Sequence, residues 1–299
     1  MKAAGRELGA GWLAIVLPYG WLLVLFLAPF IIVAAISLGE SAIGIPPYTP
    51  PLSFADGLMP RFNVNLGNYA LLLGDSLYLR AYLNSLALAG GATVLCLLVG
   101  YPMAYVIAQA PSRWRNPLLM LIILPFWTSF LIRVYAWIGI LKTNGLINNL
   151  LLATGIVDEP LPLLNNVFSV ELALVYSYLP FMILPLYATL ERMDPAFLEA
   201  AADLGSRPLR AFLAVTLPLS LPGIAAGCLL VFIPAVGEFV IPDLLGGPDT
   251  LMIGKVLWDE FFTNRDWPVA SAVAIAMLVL LVAPIALAQR ALRHGEGTA

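Results

Sequence analysis

Histidine, cysteine and charged residues are all scarce in this sequence. Its 299 residues include one histidine, two cysteines and 11% charged residues, against 61% hydrophobic residues. Soluble domains carry about 25% charged residues, so a water-soluble core could not hide this much apolar surface. The cysteines, Cys96 and Cys228, lie inside apolar runs, which favours small core residues over a disulfide. The net charge of −3 argues against nucleic-acid binding. We therefore predict a membrane protein with several spans.

Sequence motifs for catalysis, metal binding and nucleotide binding are absent as well. There is no H-E-x-x-H, no G-x-S-x-G and no Cys/His cluster. The nearest approach to G-x-x-x-x-G-K-[ST] has Asp249 at the first glycine and Val256 at the Ser/Thr position. We therefore expect no catalytic residue, no metal site and no cofactor in this chain. If this protein performs work that needs energy, we expect another component to supply that energy.

Six apolar segments are long enough to cross a bilayer, which takes about 20 residues. They are 12–38, 80–109, 117–141, 168–190, 219–241 and 267–291. The first is about twice as long as the roughly 7–15-residue core of a signal peptide, so we expect a retained span. No tandem repeat is found. We predict an all-α polytopic membrane protein with one domain over 1–299.

The connections between the predicted spans differ in charge. Both tails and the connections 110–116 and 191–218 together hold nine basic residues: Lys2, Arg6, Arg113, Arg115, Arg192, Arg207, Arg210, Arg290 and Arg293. The connections 39–79, 142–167 and 242–266 hold only four basic residues: Arg61, Lys142, Lys255 and Arg265. Basic loops stay in the cytoplasm. We therefore place both termini and the connection 191–218 inside the cell.

The connection 191–218 predicts a short helix, a turn and a second short helix. Asp194 suits the N-cap, Pro195 the first helical position, and Gly205 a left-handed C-terminal residue. One face of the first helix would present Phe197, Ala201 and Leu204. A helix this short needs packing to be stable. Two interpretations remain from physics alone: an amphipathic helix resting on lipid headgroups, or a helix docked on a partner protein.

The same stretch resembles a family signature. The pattern E-A-A-x3-G-x9-[hydrophobic]-x-L-P resembles the cytoplasmic loop of permease subunits of binding-protein-dependent ABC importers. The matching residues are Glu199, Ala200, Ala201, Gly205, Leu217 and Pro218, with Val215 in place of the usual isoleucine. Further stretches, among them FIPAVGEFVIPDLLGGPD and FFTNRDWPVASAVAI, resemble the polyamine branch, above all the putrescine transport permease. The similarity runs from about Leu66 to Pro284.

This resemblance implies a type I ABC importer permease fold in a bacterial inner membrane. It implies that the first short helix docks on an ATPase subunit and passes on ATP-driven closure. The implied partners are a second permease subunit, two ATPase subunits that bind ATP and Mg, a periplasmic polyamine-binding protein and membrane lipid. The implied function is ATP-driven polyamine import by alternating access, with putrescine as the expected cargo.

Glu238 is the leading candidate for a residue on a cation path. It follows Pro234 and Gly237 near the end of the fifth predicted span, and broken helices often line transporter cavities. A diamine needs carboxylates for its ammonium groups and aromatic walls for its methylenes. The other candidates are Trp127, Tyr135, Trp137, Phe239 and Asp243.

Other interpretations of these residues stay open. Glu238 could instead form an ion pair with Arg133, and Glu171 is another candidate partner for that arginine. The aromatic residues could serve only in packing or in an interfacial belt. The segment DTLMIGKVLWDEFF could form an outer helix that meets the binding protein, or a solvated loop helix.

Three alternative functions also remain. The same architecture could import spermidine, another amine or an anion such as sulfate. An ion-driven secondary transporter would need no ATPase and would normally show repeat-related broken helices. An intramembrane enzyme is disfavoured because no catalytic constellation is present.

Overall fold

The structure is a computed structural model that describes residues 4–54 and 60–296. Side chains are described there except at 4–14, 52–54, 60–62, 283–284 and 287–296. Lys2, one of the nine basic residues of the tails and connections named above, lies outside the described residues.

The described residues form a mostly helical chain, which confirms the predicted all-α class. In chain order its elements are α1 (Ala4–Ser37), β1 (Glu40–Ser41), β2 (Tyr48–Thr49), β3 (Leu52–Phe54), β4 (Pro60–Phe62), α2 (Gly67–Gly74), α3 (Ser76–Gln109), α4 (Ser112–Ile123), a 3₁₀ turn (Leu124–Trp127), α5 (Phe130–Leu141), α6 (Leu146–Ala153), α7 (Val167–Glu191), α8 (Ala196–Asp203), α9 (Pro208–Ala211), a π turn (Phe212–Thr216), α10 (Leu217–Leu219), α11 (Leu221–Val236), α12 (Val240–Leu245), a 3₁₀ turn (Pro248–Thr250), α13 (Ile253–Trp258), a π turn (Asp259–Thr263) and α14 (Trp267–Glu296).

Two compact units make up the chain. The first comprises Met1–Asp75 and Leu257–Leu278, and the second comprises Ser76–Val256 and Val279–Ala299. The single domain over 1–299 therefore stays a prediction.

The first unit contains strands that the sequence did not predict. After α1, strand β1 pairs antiparallel with β2, and β3 pairs antiparallel with β4. The buried Asn68 side chain of α2 donates to the carbonyl oxygens of Ser37 and Gly39, at 2.9 and 3.0 Å. These bonds satisfy carbonyl groups where α1 ends, a place where helices leave carbonyls unpaired.

The second unit is built around three helices, α3, α7 and α11, which pack against one another. A hydrophobic cluster in this unit includes Cys96, Ala104 and Ile107 of α3, Met182, Ile183 and Leu186 of α7, and Val231 of α11. Glycines bring α11 close to α7: a Cβ on Gly223 would lie 2.6 Å from Thr189 Oγ1, and one on Gly227 would lie 2.7 Å from Met182 Sδ. Small residues allow this approach between membrane helices.

Four described helical segments are long and apolar enough to cross a membrane. They are Ile15–Ser37, Ser76–Gln109, Phe130–Ala153 and Val167–Glu191. The pair Pro208–Leu219 and Leu221–Val236, bent by 64°, makes a fifth span if it is taken as one. The apolar stretch Trp267–Val282 of α14 is shorter. The count of six spans therefore stays a prediction.

The predicted third span, 117–141, is not one continuous helix. Helix α4 ends at Ile123, a 3₁₀ turn follows, and α5 begins at Phe130. Pro125 lies in the turn and has no N–H to donate. Thr128 then closes the turn, because its hydroxyl donates to the Pro125 carbonyl oxygen at 2.7 Å. The apolar run did not reveal this break.

The predicted fifth span, 219–241, is also shorter and interrupted. Helix α11 ends at Val236, and the chain restarts as α12 at Val240. Gly237 occupies the C-cap of α11, so the carboxylate of Glu238 lies in the break between two helices.

Candidate functional site

Glu238 is fixed in the break between α11 and α12 by three hydrogen bonds. The Tyr178 hydroxyl donates to Oε2 at 2.7 Å, and the backbone N–H groups of Phe239 and Val240 donate to Oε1 at 3.2 and 3.0 Å. The side chain is half-buried. A carboxylate accepts about four hydrogen bonds, so this one keeps the capacity to bind a further donor such as an ammonium group.

Aromatic rings extend from Tyr178 away from the carboxylate. The ring centroid of Tyr178 is 6.2 Å from that of Phe181, which meets Phe126 edge-on at 5.3 Å. The Arg133 guanidinium carbon lies 5.1 Å from the Phe126 ring centroid. The contacting rings thus form a row between the Glu238 carboxylate and the Arg133 guanidinium. Such walls suit methylene groups and cations.

Neither of the ion pairs considered for Arg133 is present among the described residues. Its Nε and Nη1 atoms are buried without a hydrogen-bond partner, and so is Oε2 of Glu171. The Arg133 guanidinium instead lies over the rings of Phe126 and Phe130. Glu171 packs against α3, where a Cβ on Gly91 would meet its Oε1 atom.

The remaining candidates for the cation path are spread over several surfaces. Trp127 and Tyr135 are 73% and 58% exposed, so neither is fixed in the interior of this chain. Trp137 meets Tyr176 edge-on, with ring centroids 5.4 Å apart. Phe239 is half-buried beside Glu238. Glu238 makes no hydrogen bond to Trp127 or Trp137 within the described part of the chain, although α5, which carries Trp137, packs against α12.

Asp243, the last candidate, pairs with a basic residue. Its Oδ1 atom accepts from Nζ of Lys255, which joins α12 to α13. The segment DTLMIGKVLWDEFF is largely helical, as α13 and the π turn after it. Its contact with a binding protein stays a prediction.

The connection 191–218 forms the predicted short helix, turn and second short helix, but α8 begins at Ala196 with Pro195 at its N-cap, one residue later than predicted. Asp194 still accepts at this end, because the Ala196 N–H donates to its Oδ1 at 2.9 Å. At its other end Gly205 adopts a φ of +77°, and Ser206 N–H donates to the Ala201 carbonyl oxygen at 2.9 Å. This is the left-handed C-terminal motif that favours glycine.

The predicted apolar face of α8 is largely exposed. Phe197 and Leu204 are 53% and 89% exposed, whereas Ala201 is half-buried, as is Leu198. Leu209 and Leu213 farther along the connection are also exposed, at 71% and 53%. Exposed apolar side chains grouped on one connection indicate a surface that meets another molecule.

The signature residues take different positions on this connection. Glu199, Ala200, Gly205 and Pro218 are exposed, whereas Ala201 and Leu217 are half-buried. Leu217 packs against the core cluster of the second unit. The pattern therefore contains surface residues and residues that anchor the connection.

A cavity lies behind α8, at the ends of α3 and α7. Its volume is about 330 Å³, and its lining includes Tyr105, Arg115, Glu191, Pro195 and Leu198. Arg115 Nη1 pairs with Glu191 Oε1 at 3.2 Å, and Arg115 Nε donates to the Ala110 carbonyl oxygen at 2.8 Å. Arg115 thereby ties the start of α4 to the ends of α3 and α7.

Sequence reasoning missed Tyr178 as the partner of Glu238. The two residues are 60 positions apart, and no local pattern joins them. Only a general rule pointed to such a contact: a charge in a span needs a partner, and a span tyrosine supplies a hydroxyl.

Comparisons with known proteins are consistent with this arrangement. A family model described as "binding-protein-dependent transport system inner membrane component" matches residues 96–294. The chain is 41% identical to the spermidine/putrescine transport system permease protein PotB of Haemophilus influenzae, over 88% of this chain and 87% of the relative. It is 39% identical to PotB of Escherichia coli K12, over 88% of this chain and 90% of the relative.

A solved structure shares the fold at lower identity. It is the bacterial alginate ABC transporter in complex with an alginate pentasaccharide-bound periplasmic protein. The TM-score is 0.65 at 20% identity, over 95% of this chain and 94% of the other. This similarity supports the predicted fold.

Proposed function

Because this chain belongs to the family of binding-protein-dependent transport system inner membrane components, we propose that it is the permease subunit of an ATP-driven polyamine importer. The observation that carries the cargo class is 39–41% identity to spermidine/putrescine permeases over 88% of the chain. The chain is a multi-pass inner membrane component. Translocation, and no chemical conversion, is its proposed role.

The proposed partners follow from surfaces that this chain leaves open. The apolar window of Ile15–Ser37 is only 6% buried, so its side chains are available to lipid and to a second permease subunit. The exposed apolar residues of α8 and the chain after it suit the groove of an ATPase subunit. Two such ATPases would bind ATP and Mg, and a periplasmic binding protein would deliver the polyamine. No cofactor is proposed within this chain.

For the cation path we propose Glu238 as the residue that meets an ammonium group. Its carboxylate is half-buried, already oriented by Tyr178, and has no ion-pair partner among the described residues. Phe126 and Phe181 offer apolar faces to the methylene chain. Asp243 is proposed as a weaker acid on the entry route, where Lys255 already compensates its charge. Both spermidine and putrescine fit this chemistry, and we propose putrescine as the preferred cargo.

Reconstituted transport tests the proposed function. The complex of this chain with its second permease subunit and the ATPase is placed in liposomes with Mg-ATP inside. The binding protein and radiolabelled putrescine, spermidine or sulfate are added outside. We expect amine uptake that requires both ATP and the binding protein, with putrescine taken up at the lower concentration.

Three outcomes would contradict the proposal at different levels. Uptake driven by an ion gradient in ATP-free vesicles would show a secondary transporter. ATP-driven sulfate uptake without amine uptake would keep the importer and overturn the cargo class. A preference for spermidine would overturn only the choice of putrescine.

A further inference from the structure

The junction between the connection 191–218 and helix α11 is irregular. The chain passes through a π turn, Phe212–Thr216, and the short helix α10 before it bends by 64° into α11. Residues in π turns often occur at functional sites. The bend falls at Ser220, the residue between α10 and α11, which is 1% exposed.

A hydrogen bond from α3 holds this bend. The Tyr101 hydroxyl and Ser220 Oγ are 2.9 Å apart, and both side chains are buried. The Ser220 hydroxyl also donates to the Leu217 carbonyl oxygen at 2.9 Å. Because serine has one hydroxyl hydrogen, Tyr101 is the donor to Ser220. The bend is thereby bonded to α3 through the Oγ atom of Ser220.

The aromatic ring that leads into the bend is held by the same face of α3. Phe212, the first residue of the π turn, meets the Tyr101 ring edge-on at 5.6 Å and the Tyr105 ring edge-on at 6.0 Å. Tyr101 and Tyr105 are four residues apart, so they lie on one face of α3. The π turn is therefore fixed to α3 by ring contacts, whereas Ser220 at the bend is joined to α3 by the hydroxyl of Tyr101.

Thr216 shows that the junction leaves one polar group unsatisfied. Its Oγ1 atom is fully buried without a hydrogen-bond partner among the described residues. A threonine in a regular helix commonly donates to the carbonyl oxygen four residues earlier. The π geometry loses this bond, and a buried hydroxyl without a partner is unfavourable. If the junction moved so that the Thr216 hydroxyl regained a hydrogen bond, that bond would offset part of the free energy that the movement costs.

We propose that Tyr101 is a positioning residue that couples movement of the connection 191–218 to α11 through its hydrogen bond to Ser220. This inference rests on the proposed function, because it presumes that an ATPase moves α8. The chain of contacts runs from α8 through the π turn to the bend at Ser220. From there α11 leads directly to Glu238 at its far end.

The substitution Tyr101→Phe tests the proposal in the reconstituted complex. It removes the hydroxyl and keeps the ring that holds Phe212. We expect the ATPase rate to stay within twofold of the unsubstituted complex. The amount of polyamine imported per ATP should fall by about 3- to 10-fold, the equilibrium effect of one buried hydrogen bond.

Tyr105→Phe is the matched control on the next turn of the same helix. Its hydroxyl makes no hydrogen bond within the described part of the chain, while its ring also contacts Phe212. Import per ATP should stay within twofold. Ser220→Ala should reproduce the loss, and adding Tyr101→Phe to Ser220→Ala should lower the ratio little further, since the two residues share one bond.

The outcomes separate this inference from the proposed function. An unchanged ratio of import to ATP hydrolysis in Tyr101→Phe would overturn the positioning role, and so would an equal loss in Tyr105→Phe. If the unsubstituted complex imported no polyamine with ATP, the proposed function itself would fail and this inference with it. Elution of each variant as a single species in detergent verifies folding.

Discussion

At the scale of the residue, the environment of Glu238 explains how a span can carry an acid. A charge at the centre of a membrane helix costs about 2.5–3.5 kcal/mol on insertion scales. Here the carboxylate lies in a break between helices, where the backbone N–H groups of Phe239 and Val240 donate to it, and Tyr178 adds a third donor. The carboxylate proposed to meet the cargo is thus oriented in advance, and such preorganisation lowers the cost of binding.

Glu238→Gln should weaken polyamine transport without preventing assembly. The amide keeps the size of the side chain and an acceptor for Tyr178, but it loses the negative charge that attracts an ammonium group. Hydrogen bonds to charged groups contribute about 1–2 kcal/mol more than neutral ones, so the apparent KM for uptake should rise roughly 5- to 30-fold. Initial rates in loaded vesicles measure this change.

Glu159→Gln provides the control for this prediction. Glu159 is exposed on the chain between α6 and α7, so its neutralisation should leave the KM within twofold. Tyr178→Phe should produce an intermediate rise, because the charge stays while one orientating bond is lost. Unchanged kinetics in Glu238→Gln would remove this residue from the cation path.

Single residues were predictable from sequence when their partners are near in the chain. Asp194 and Gly205 act within a few positions of themselves, so the cap and the left-handed residue of α8 could be predicted. Glu238 could be chosen as a candidate because an acid beside Pro234 and Gly237 is unusual in a span. Its bond to Tyr178 depends on how two distant helices pack, which no local pattern encodes.

At the scale of the element, glycine determines how closely α11 approaches α7. A Cβ on Gly223 would lie 2.9 Å from Thr189 Cβ and 3.0 Å from the Pro185 carbonyl oxygen, so backbone as well as side chain would have to move. Close helix contact of this kind favours packing between spans. The interface therefore has little tolerance for added volume.

Gly223→Ala should destabilise the second unit. Overpacking of a tight interface costs about 1–3 kcal/mol, so the variant should lose its folded signal at a lower temperature in detergent. Gly90→Ala is the matched control, because that position on α3 has no atom within 4 Å of an added Cβ. An alanine there should leave the melting temperature unchanged or raise it, since alanine favours helix over glycine by about 1 kcal/mol. Equal melting temperatures for the two variants would contradict the close packing.

The breaks in helices were harder to predict than the helices themselves. The apolar runs predicted α3 and α7 well, since hydropathy alone identifies long buried helices. The same runs concealed the 3₁₀ turn at Leu124–Trp127 and the interruption after Val236. Proline is tolerated inside other helices of this chain, such as α7 with Pro180 and Pro185, so a proline by itself did not mark a break.

At the scale of the whole molecule, charge and exposure give a prediction of sidedness. The connection 191–218 holds Arg192, Arg207 and Arg210 and carries exposed apolar side chains such as Leu204. The loop after α1 forms a hairpin of β1 and β2 with Ile43 fully exposed between the strands. The positive-inside rule places the first surface in the cytoplasm and the second in the periplasm.

Cysteine labelling checks this orientation. In a Cys228→Ala background the remaining native thiol, Cys96, is fully buried. A membrane-impermeant maleimide should label Ile43→Cys in spheroplasts and should label Leu204→Cys only after permeabilisation. The background variant without a new cysteine should stay unlabelled. The reverse pattern would invert the predicted topology.

The 64° bend at Ser220 has a geometric consequence for transport. Helix α11 has 16 residues, so it is a rod of about 24 Å at 1.5 Å per residue. A tilt of about 10° around one end of such a rod displaces the other end by roughly 4 Å. That displacement exceeds the 2.7 Å between Tyr178 and Glu238, so a small rotation at the bend is enough to separate the carboxylate from its hydroxyl partner. A rotation of α11 about Ser220 would therefore move Glu238, at the far end of the helix, farther than any residue nearer to the bend.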